Sequence, residues 1–276
     1  MTNTMNSLQG TLLAVDTSTS SMSLALVRGN ELLGEINSKA ERNHSIHLLP
    51  QIEQLLTSAG LSAKELDAFG VGVGPGSYTG VRIGVTAAKT FAWTHGMALL
   101  AVSSLETMAL GAAEAYLTGG IAGADGNEPI LSALETVRNQ GKTVWVVPMI
   151  EARRGQAFTG LYQASGQGWG CLESDSIRLM SAWTEQLLER ALSSQETKPD
   201  CIVFAGETKL HEETLQRFFA GWQGESAELP HEIRARHLAE LARARWAEGR
   251  TEAPHGLVPN YTQLPEAEVK LMAQKS

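Results

Sequence analysis

The chain has 276 residues, of which 43% are hydrophobic and 19% charged, and its formal net charge is -8. This composition excludes an intrinsically disordered chain. It also argues against binding nucleic acid over a broad surface, because phosphate affinity needs a basic footprint. The N-terminal residues lack the regions of a signal peptide, and no stretch has the length of a membrane span. Cys171 and Cys201 fit no metal spacing. We therefore expect a soluble cytoplasmic protein with reduced thiols.

One local basic patch is compatible with this acidic total. Arg234, Arg236, Arg243 and Arg245 lie close together near the last predicted helix. They are either a contact for a phosphate-bearing partner or the solvated face of that helix. We favour the solvated face, because charged helix faces are usually of that kind.

The first half of the chain predicts three antiparallel strands followed by alternating helices and strands. Apolar alternation between short polar turns indicates strands, and apolar residues near i, i+3 and i+4 indicate helices. The predicted elements are strands Thr11–Val15, Met22–Val27 and Glu31–Ile36, a helix ending near Ala59, strand Leu66–Val73, helix Thr79–Thr94, strand Leu99–Val102 and a helix ending near Tyr116. This order is typical of a ribonuclease-H-like unit.

A weaker copy of the pattern follows an insertion at Gly119 to Gly141, in which we expect one short helix. Strands are predicted at Thr143–Ile150, Gln156–Tyr162, Cys171–Leu179 and Asp200–Ala205, and helices at Ala182–Leu192, after Thr208 and at Ile233–Glu248. We predict an α/β fold with a first lobe at 1–110, a second lobe at 111–230, and residues 231–276 packing back on the lobes.

The stretch from Val71 to His95 combines a strand end, a glycine-rich turn and a nearly uncharged helix. A helix that is apolar almost all round is covered on more than one side. Interior glycines cost about 1 kcal/mol each relative to alanine, so a close backbone contact must compensate. The covering backbone belongs either to this chain or to a second one. Small residues line one stripe of the helix: Gly80, Gly84, Ala87 and Ala88.

Asp16 ends the first strand, before a Ser/Thr-rich turn. In nucleotide-binding proteins of the actin type such a hairpin supplies a carboxylate for Mg²⁺ and donors for phosphate. The turn lacks the glycine that would let a phosphate approach closely. An Asx turn explains Asp16 equally well, and the sequence leaves both interpretations open.

The glycine turn matches neither a P-loop nor a dinucleotide fingerprint. A phosphate at the following helix N-terminus is one interpretation, and a structural tight turn is the favoured one. Gly206 and Glu207 follow a buried strand and suit either an adenosine contact or a helix-capping turn. His44 and His47 have a spacing that can bind a metal, but we expect exposed first-turn histidines. Arg153 and Arg154 lie in a turn and are either solvated or in contact with a charged partner.

Several segments closely resemble the TsaB (YeaZ) family. The resemblance is dense over about residues 11–110 and sparser afterwards. It is carried by DTSTSSMSLAL from Asp16, HSIHLLPQIEQLL from His44, GVGPGSYTGVRIGVTAAKTFA from Gly72, VSSLETMA from Val102, EARRGQAF from Glu151 and PNYT from Pro259. Glu151 in place of Asp, the insertion, and Gln263 in place of a basic residue depart from the family pattern.

The resemblance implies an actin-like fold of two ribonuclease-H-like lobes. It implies a largely non-catalytic partner that binds and activates TsaD in forming N6-threonylcarbamoyladenosine at position 37 of tRNAs reading ANN codons. The resemblance also implies TsaE as the further protein of the bacterial complex, and a homodimer when the chain is alone. It implies that tRNA is contacted only through the complex. The alternative is an active ATP-dependent phosphotransferase of the same fold. A peptidase would need ligands that the sequence lacks, and the HxxxH of TsaD is absent.

The resemblance places the partner interface on the first-lobe helices, and no catalytic or metal residue in this chain. The expected interface residues are His44, His47, Leu48, Ile52, Leu55, Thr79, Gly80, Arg82, Ile83, Gly84, Ala87, Ala88 and Phe91. A vestigial nucleotide site would use Asp16, Thr17, Ser18, Gly74, Gly76, Ser77, Gly206 and Glu207. No cofactor is required by this chain, although ATP or ADP at the partner interface is compatible with the family. On this basis Gly84→Leu should leave the chain folded and abolish association.

Overall fold

The structure, a computed structural model, describes residues 9–39, 43–120, 132–193 and 198–262. In the first half, three strands are followed by three helices that alternate with two further strands. These elements are β1 (Thr11–Asp16), β2 (Ser21–Arg28), β3 (Glu31–Lys39), α1 (His44–Ser58), β4 (Ala68–Gly72), α2 (Tyr78–His95), β5 (Ala98–Val102) and α3 (Ser104–Thr118), with a 3-10 turn at Ala63–Glu65. The predicted order is confirmed.

The second half repeats this order after one short helix. Its elements are α4 (Ala133–Asn139), β6 (Val144–Glu151), β7 (Gln156–Ser165), β8 (Gly168–Leu179), α5 (Met180–Ser193), β9 (Cys201–Gly206), a 3-10 turn at Lys209–His211, α6 (Glu212–Gly221), β10 (Glu225–Leu229) and α7 (Ala235–Ala247). The short helix predicted in the insertion is α4, and residues 121–131 of that insertion lie outside the described ranges. Strand β10 has no counterpart among the sequence predictions, because it is short, charged and at a sheet edge.

The two sheets share one topology. The strand orders are β3-β2-β1-β4-β5 and β8-β7-β6-β9-β10. In each sheet the first three strands are antiparallel and the remaining pairs are parallel. The fold is therefore the predicted actin-like arrangement of two ribonuclease-H-like units.

The central strands are buried on both faces, which explains their continuous apolar sequences. Leu12 and Ala14 of β1 face a core shared by both sheets, while Leu13 and Val15 face a core under α1 and α2. In β6, Val144 points into the shared core and Trp145 into a third core under α5 and α6. Helices α3 and α7 contribute to the shared core. Helix α3 spans residue 110, where the first lobe was predicted to end. The division of the chain into lobes at residues 110 and 230 stays a prediction.

The arginines of α7 are not a solvated face, so that interpretation was wrong. Arg236 is buried and pairs with Glu35, as does Arg234. Arg245 pairs with Glu106 at the start of α3. These ion pairs tie α7 to both β3 and α3 instead of offering a surface for phosphates. Arg243 donates to Asn30.

The stripe of small residues on α2 accommodates this chain's own β1–β2 turn. A Cβ atom on Gly80 would lie 2.1 Å from the Thr17 carbonyl oxygen, and one on Gly84 would lie 2.5 Å from Thr17 Oγ1. Thr17 Oγ1 donates a 2.7 Å hydrogen bond to the Gly80 carbonyl. The covering backbone on this face therefore belongs to the same chain. The expectation for Gly84→Leu is corrected, because leucine would displace Thr17 and disturb the fold itself.

We predict that Gly80→Ala lowers the free energy of unfolding by roughly 1–3 kcal/mol, because the added methyl group overpacks against the Thr17 carbonyl. This loss should appear although alanine favours helix. Gly170→Ala is the matched control, since a Cβ atom there meets nothing within 4 Å. Urea unfolding of the two variants measures the difference. Equal stability of Gly80→Ala and the unmodified chain would refute the contact.

The crossing of α3 and α7 buries a histidine that resists protonation. His231 approaches Gly111 of α3, where a Cβ atom would lie 2.4 Å from its Nε2. Burial, together with the nearby His237 and Arg234, lowers the pKa of His231 from 6.5 to about 3. The unfolded chain therefore binds this proton first as the pH falls below 6.5.

We predict that His231 reduces stability as the pH falls from 6.5 towards 3, by about 1.4 kcal/mol per pH unit within that window. His231→Gln removes the titrating group and should flatten the dependence of the unfolding free energy on pH. Unfolding curves at about pH 6 and pH 4.5 test this. Identical slopes for the variant and the unmodified chain would contradict the lowered pKa.

Candidate functional site

Three turns meet where the two lobes face each other. They are the β1–β2 turn, the glycine turn before α2 and the β6–β7 turn, the last being the second-lobe equivalent of the first. Two neighbouring cavities of about 540 and 510 Å³ open between them. Open α/β sheets commonly place ligands beyond the carboxyl ends of their strands, so this cleft is the first place to look for chemistry.

Asp16 is fully engaged by its own chain. Its Oδ1 accepts hydrogen bonds from the Ser18 backbone N–H at 2.8 Å and the Ser18 hydroxyl at 2.6 Å. Its Oδ2 accepts from the Ser104 hydroxyl at 2.6 Å. Gly72 is required beside it, because a Cβ atom there would lie 1.9 Å from Oδ2. This geometry is that of an Asx turn that also anchors the start of α3.

Burial raises the pKa of Asp16 above its ordinary value, and the hydrogen bonds from Ser104 and Ser18 offset only part of that rise. A carboxylate that holds Mg²⁺ near a phosphate must present at least one oxygen to the cleft. Both oxygens of Asp16 instead accept from side chains and backbone of this chain. The arrangement therefore serves to fix the β1–β2 turn against α3.

The glycine turn holds the same hairpin from the other side. The Ser77 N–H donates to the Ser18 carbonyl at 2.7 Å, and a Cβ atom on Gly76 would lie 2.3 Å from that oxygen. Ser77 caps α2 by accepting from the Gly80 N–H. The Gly74 N–H donates to Ser104 Oγ. The Gly74, Ser77 and Gly80 N–H groups around this helix start are thus directed at the chain itself.

The second-lobe side of the cleft carries two carboxylates, Glu151 and Glu207. Glu151, at the end of β6, occupies the position equivalent to Asp16 in the repeated topology. Its Oε2 lies 2.9 Å from His211 Nε2 and its Oε1 accepts from the Arg153 N–H at 2.6 Å. Glu207 follows Gly206 at the end of β9 and accepts from the Glu151 N–H at 2.7 Å. Glu207 thereby accepts a hydrogen bond from the last backbone N–H of β6. Both carboxylates line the cavity of about 510 Å³.

Two arginines in the β6–β7 turn have left-handed backbones. The φ angles are 70° at Arg153 and 56° at Arg154. For residues other than glycine this conformation costs roughly 1–2 kcal/mol each. Such strain persists where the surroundings enforce it, and it often accompanies function. Both side chains are exposed and line the cavity of about 540 Å³.

The two histidines of α1 point to different places. His44 is buried, with Nε2 3.0 Å from the Thr19 carbonyl oxygen, so the expectation that it is exposed was wrong. His47 is exposed as expected. Within the described ranges, no three residues among His, Cys, Asp and Glu are grouped so that they could hold a metal ion.

A separate apolar groove of about 640 Å³ runs between α1 and α2 on the outside of the first lobe. Its wall on α1 includes Leu49, which is 56% exposed. Its wall on α2 includes Ile83, Ala87 and Phe91. This face of α2 adjoins the glycine stripe and lies away from the core-facing Val81 and Val85, and no other segment in the described part of the chain covers it.

The structure divides the expected interface residues into two groups. Those buried in this chain are His44, Leu48, Ile52, Leu55, Gly80, Gly84 and Ala88. Those that reach the surface are His47, Thr79, Arg82, Ile83, Ala87 and Phe91. Members of the first group support the helices from inside, so only the second group offers side chains to a partner.

Sequence reasoning missed residues that complete the site. Ser104 and Gly72 hold Asp16, and His211 holds Glu151. Tyr78 and Tyr261, 183 positions apart in the chain, have ring centroids 5.2 Å apart at the cleft mouth. Of these, only Gly72 carries a local signal that could have found it, because a glycine at the end of a buried strand permits the close approach of another group.

Comparisons with known proteins place the chain in a family. Residues 32–271 match the model of TsaD, tRNA N6-adenosine threonylcarbamoyltransferase. Over 266 residues the chain is 35% identical to the tRNA threonylcarbamoyladenosine biosynthesis protein TsaB of Bacillus subtilis, covering 94% of this chain and 97% of that protein. The chain belongs to the TsaB (YeaZ) family. The resemblance stated from sequence motifs is thereby confirmed.

Solved structures agree with the TsaB fold. YeaZ from Pseudomonas aeruginosa superposes with a TM-score of 0.67 at 24% identity, covering 91% of this chain and 99% of that one. A Pseudomonas aeruginosa protein described as similar to peptidase YEAZ superposes with a TM-score of 0.68 at 25% identity, covering 92% of this chain and 100% of that one.

No helix in the described part of the chain is long and apolar enough to cross a membrane. The family is named for tRNA threonylcarbamoyladenosine biosynthesis.

We predict that Asp16→Asn lowers the free energy of unfolding by roughly 1–3 kcal/mol, because the amide replaces an acceptor where only donors approach. Adding Mg²⁺ and ATP should not change this loss, since the carboxylate serves the fold. Glu53→Gln, on the exposed face of α1, is the control and should stay within about 0.5 kcal/mol. Thermal and urea unfolding with and without Mg²⁺-ATP measure both variants. If Mg²⁺-ATP stabilises the unmodified chain but does not stabilise Asp16→Asn, the carboxylate binds nucleotide and this role is contradicted.

Proposed function

We propose that this chain is a non-catalytic scaffold subunit that binds and activates TsaD in forming N6-threonylcarbamoyladenosine at position 37 of tRNAs reading ANN codons. The observation that carries the proposal is the open apolar groove between α1 and α2. Groups of exposed apolar side chains usually mark protein interfaces. Helices α1 and α2 would pack against the matching helices of TsaD, and against a second copy when TsaD is absent.

Activation would be architectural. The groove is supported by this chain's own packing, because the adjoining face of α2 packs on Thr17 and the α1 wall rests on the buried Leu48 and Ile52. A rigid pair of helices can hold a partner in one arrangement without a conformational change of its own. TsaD would then supply the metal, the nucleotide and the transfer chemistry.

The engagement of Asp16 supports a subunit without catalysis of its own. An ATP-dependent phosphotransferase of this fold needs a free carboxylate and free phosphate donors at the first hairpin. Here both oxygens of Asp16 accept internal hydrogen bonds, and the Ser77 N–H donates to Ser18. We therefore propose that the scaffold role requires no cofactor in this chain, and that ATP or ADP can contact it at the TsaD interface but not at the first hairpin.

The remaining partners follow from the same proposal. TsaE would join the complex through TsaD and this chain together, and tRNA would bind only through the complex, because the net charge of -8 disfavours a direct phosphate surface. The assembly would work in the cytoplasm.

The direct test is the mass in solution of the purified chain, alone and mixed with TsaD of the same organism. Light scattering should give a homodimer that is replaced by a complex with TsaD. A monomer that ignores TsaD would overturn the proposal. ATP turnover by the isolated chain would instead favour the phosphotransferase.

We predict that Leu49→Glu abolishes association with TsaD, because it places a charge in the apolar groove. Leu210→Glu is the matched control. Leu210 is 76% exposed, compared with 56% for Leu49, and lies in the second lobe. Neither change should alter the melting temperature of the isolated chain by more than a few degrees. Equal loss of binding in both variants, or in neither, would place the interface elsewhere.

A further inference from the structure

The cavity of about 540 Å³ at the mouth of the cleft takes no part in the proposed scaffold role. Arg153 and Arg154 line one side. Tyr78, at the start of α2, and residues 259–262 line the other. The Asn260 N–H donates to the Val73 carbonyl at 2.8 Å and fixes the second wall. The volume suits one small-molecule ligand.

The arginine side of the cavity is built for an anion. Two successive left-handed residues bring both side chains to the same cavity. Neither guanidinium group forms an ion pair with a residue of the described ranges. Glu151 lines the same cavity, where its carboxylate lies 2.9 Å from His211 Nε2 and accepts from the Arg153 N–H, so it is engaged within this chain. Paired guanidinium groups bind the oxygens of a phosphate through several charge-assisted hydrogen bonds.

The opposite side of the cavity is aromatic. The rings of Tyr78 and Tyr261 lie 5.2 Å apart at an interplanar angle of 33°, and both side chains are nearly half exposed. Arg82 lies over the Tyr78 ring and donates to its hydroxyl, which holds the pair in place. An exposed aromatic face stacks against a planar base without requiring a particular base.

We propose that this cavity binds a nucleoside phosphate, with the phosphate on Arg153 and Arg154 and the base stacked on Tyr261. The site is distinct from the expected vestigial nucleotide residues, of which only Gly76 lines it. Tyr78 lines both this cavity and the groove between α1 and α2, but the arginines and Tyr261 line the cavity without lining the groove. Nucleotide binding by the isolated chain therefore stands or falls separately from the proposed function. The same chemistry occurs in a free nucleotide and in a nucleotide of RNA. The net charge of -8 favours the free nucleotide.

The test is calorimetric titration of the full chain with AMP, and separately with adenosine and inorganic phosphate. AMP should bind saturably, and each half-ligand at least tenfold more weakly. Arg153→Gln with Arg154→Gln, and separately Tyr261→Leu, should weaken AMP binding at least tenfold. Arg217→Gln with Arg250→Gln carries the same change in net charge at exposed sites away from the cavity and should leave binding unchanged.

A second variant separates binding from folding. Arg153→Gly with Arg154→Gly suits the left-handed backbone, so it should keep or raise the melting temperature while AMP binding is lost. Absence of saturable AMP binding at millimolar concentration would overturn the proposal. Equal weakening in the Arg217 and Arg250 control would also overturn it. Binding of a short RNA with no binding of AMP would assign the arginines to RNA instead.

Discussion

The structure depends on the fit between the β1–β2 turn and the glycine face of α2. Thr17 and Ser18 lie so close to Gly76, Gly80 and Gly84 that none of the three positions has room for a Cβ atom. Hydrogen bonds from Thr17 Oγ1 and from the Ser77 N–H close the same contact. This contact covers the glycine side of α2, while the adjoining side with Ile83 and Phe91 remains for a partner.

The same contact also explains why the cleft resembles a nucleotide site without having its free groups. The hairpin carboxylate, the helix N-terminus and the glycine turn occupy the places expected of an actin-type fold. Asp16 accepts from Ser18 and Ser104, the Ser77 N–H donates to the Ser18 carbonyl, and the Gly74 N–H donates to Ser104 Oγ. A phosphate or Mg²⁺ could enter there only by breaking these bonds. A scaffold gains rigidity from such internal bonds, and rigidity is what the groove between α1 and α2 requires.

Much of the fold could be predicted from the sequence because local signals and tertiary structure agree. The apolar runs of β1 and β6 are continuous since both faces of each strand are buried, and the polar turns between strands are short. Strand β10 was missed because its alternating, charged sequence reflects an exposed sheet edge and gives little apolar signal. The α7 arginines were misjudged because their partners, Glu35 and Glu106, are distant in sequence.

The site was less predictable than the fold for the same reason. Motifs indicated Asp16, the glycine turn and the helices, but not which face of α2 would be covered by this chain. That choice depends on Thr17, more than sixty residues away from Gly80. The contact between the Tyr78 and Tyr261 rings likewise requires residues 259–262 to return along the first lobe, which no local pattern indicates.

The central claim is that the uncovered face of α1 and α2 is the surface that TsaD contacts. Hydrogen–deuterium exchange of this chain, with and without TsaD, tests it most directly. The account predicts that added TsaD slows exchange in peptides covering 44–58 and 78–95, with little change in the second lobe. Slowed exchange confined to the second lobe, or none in α1 and α2, would contradict it.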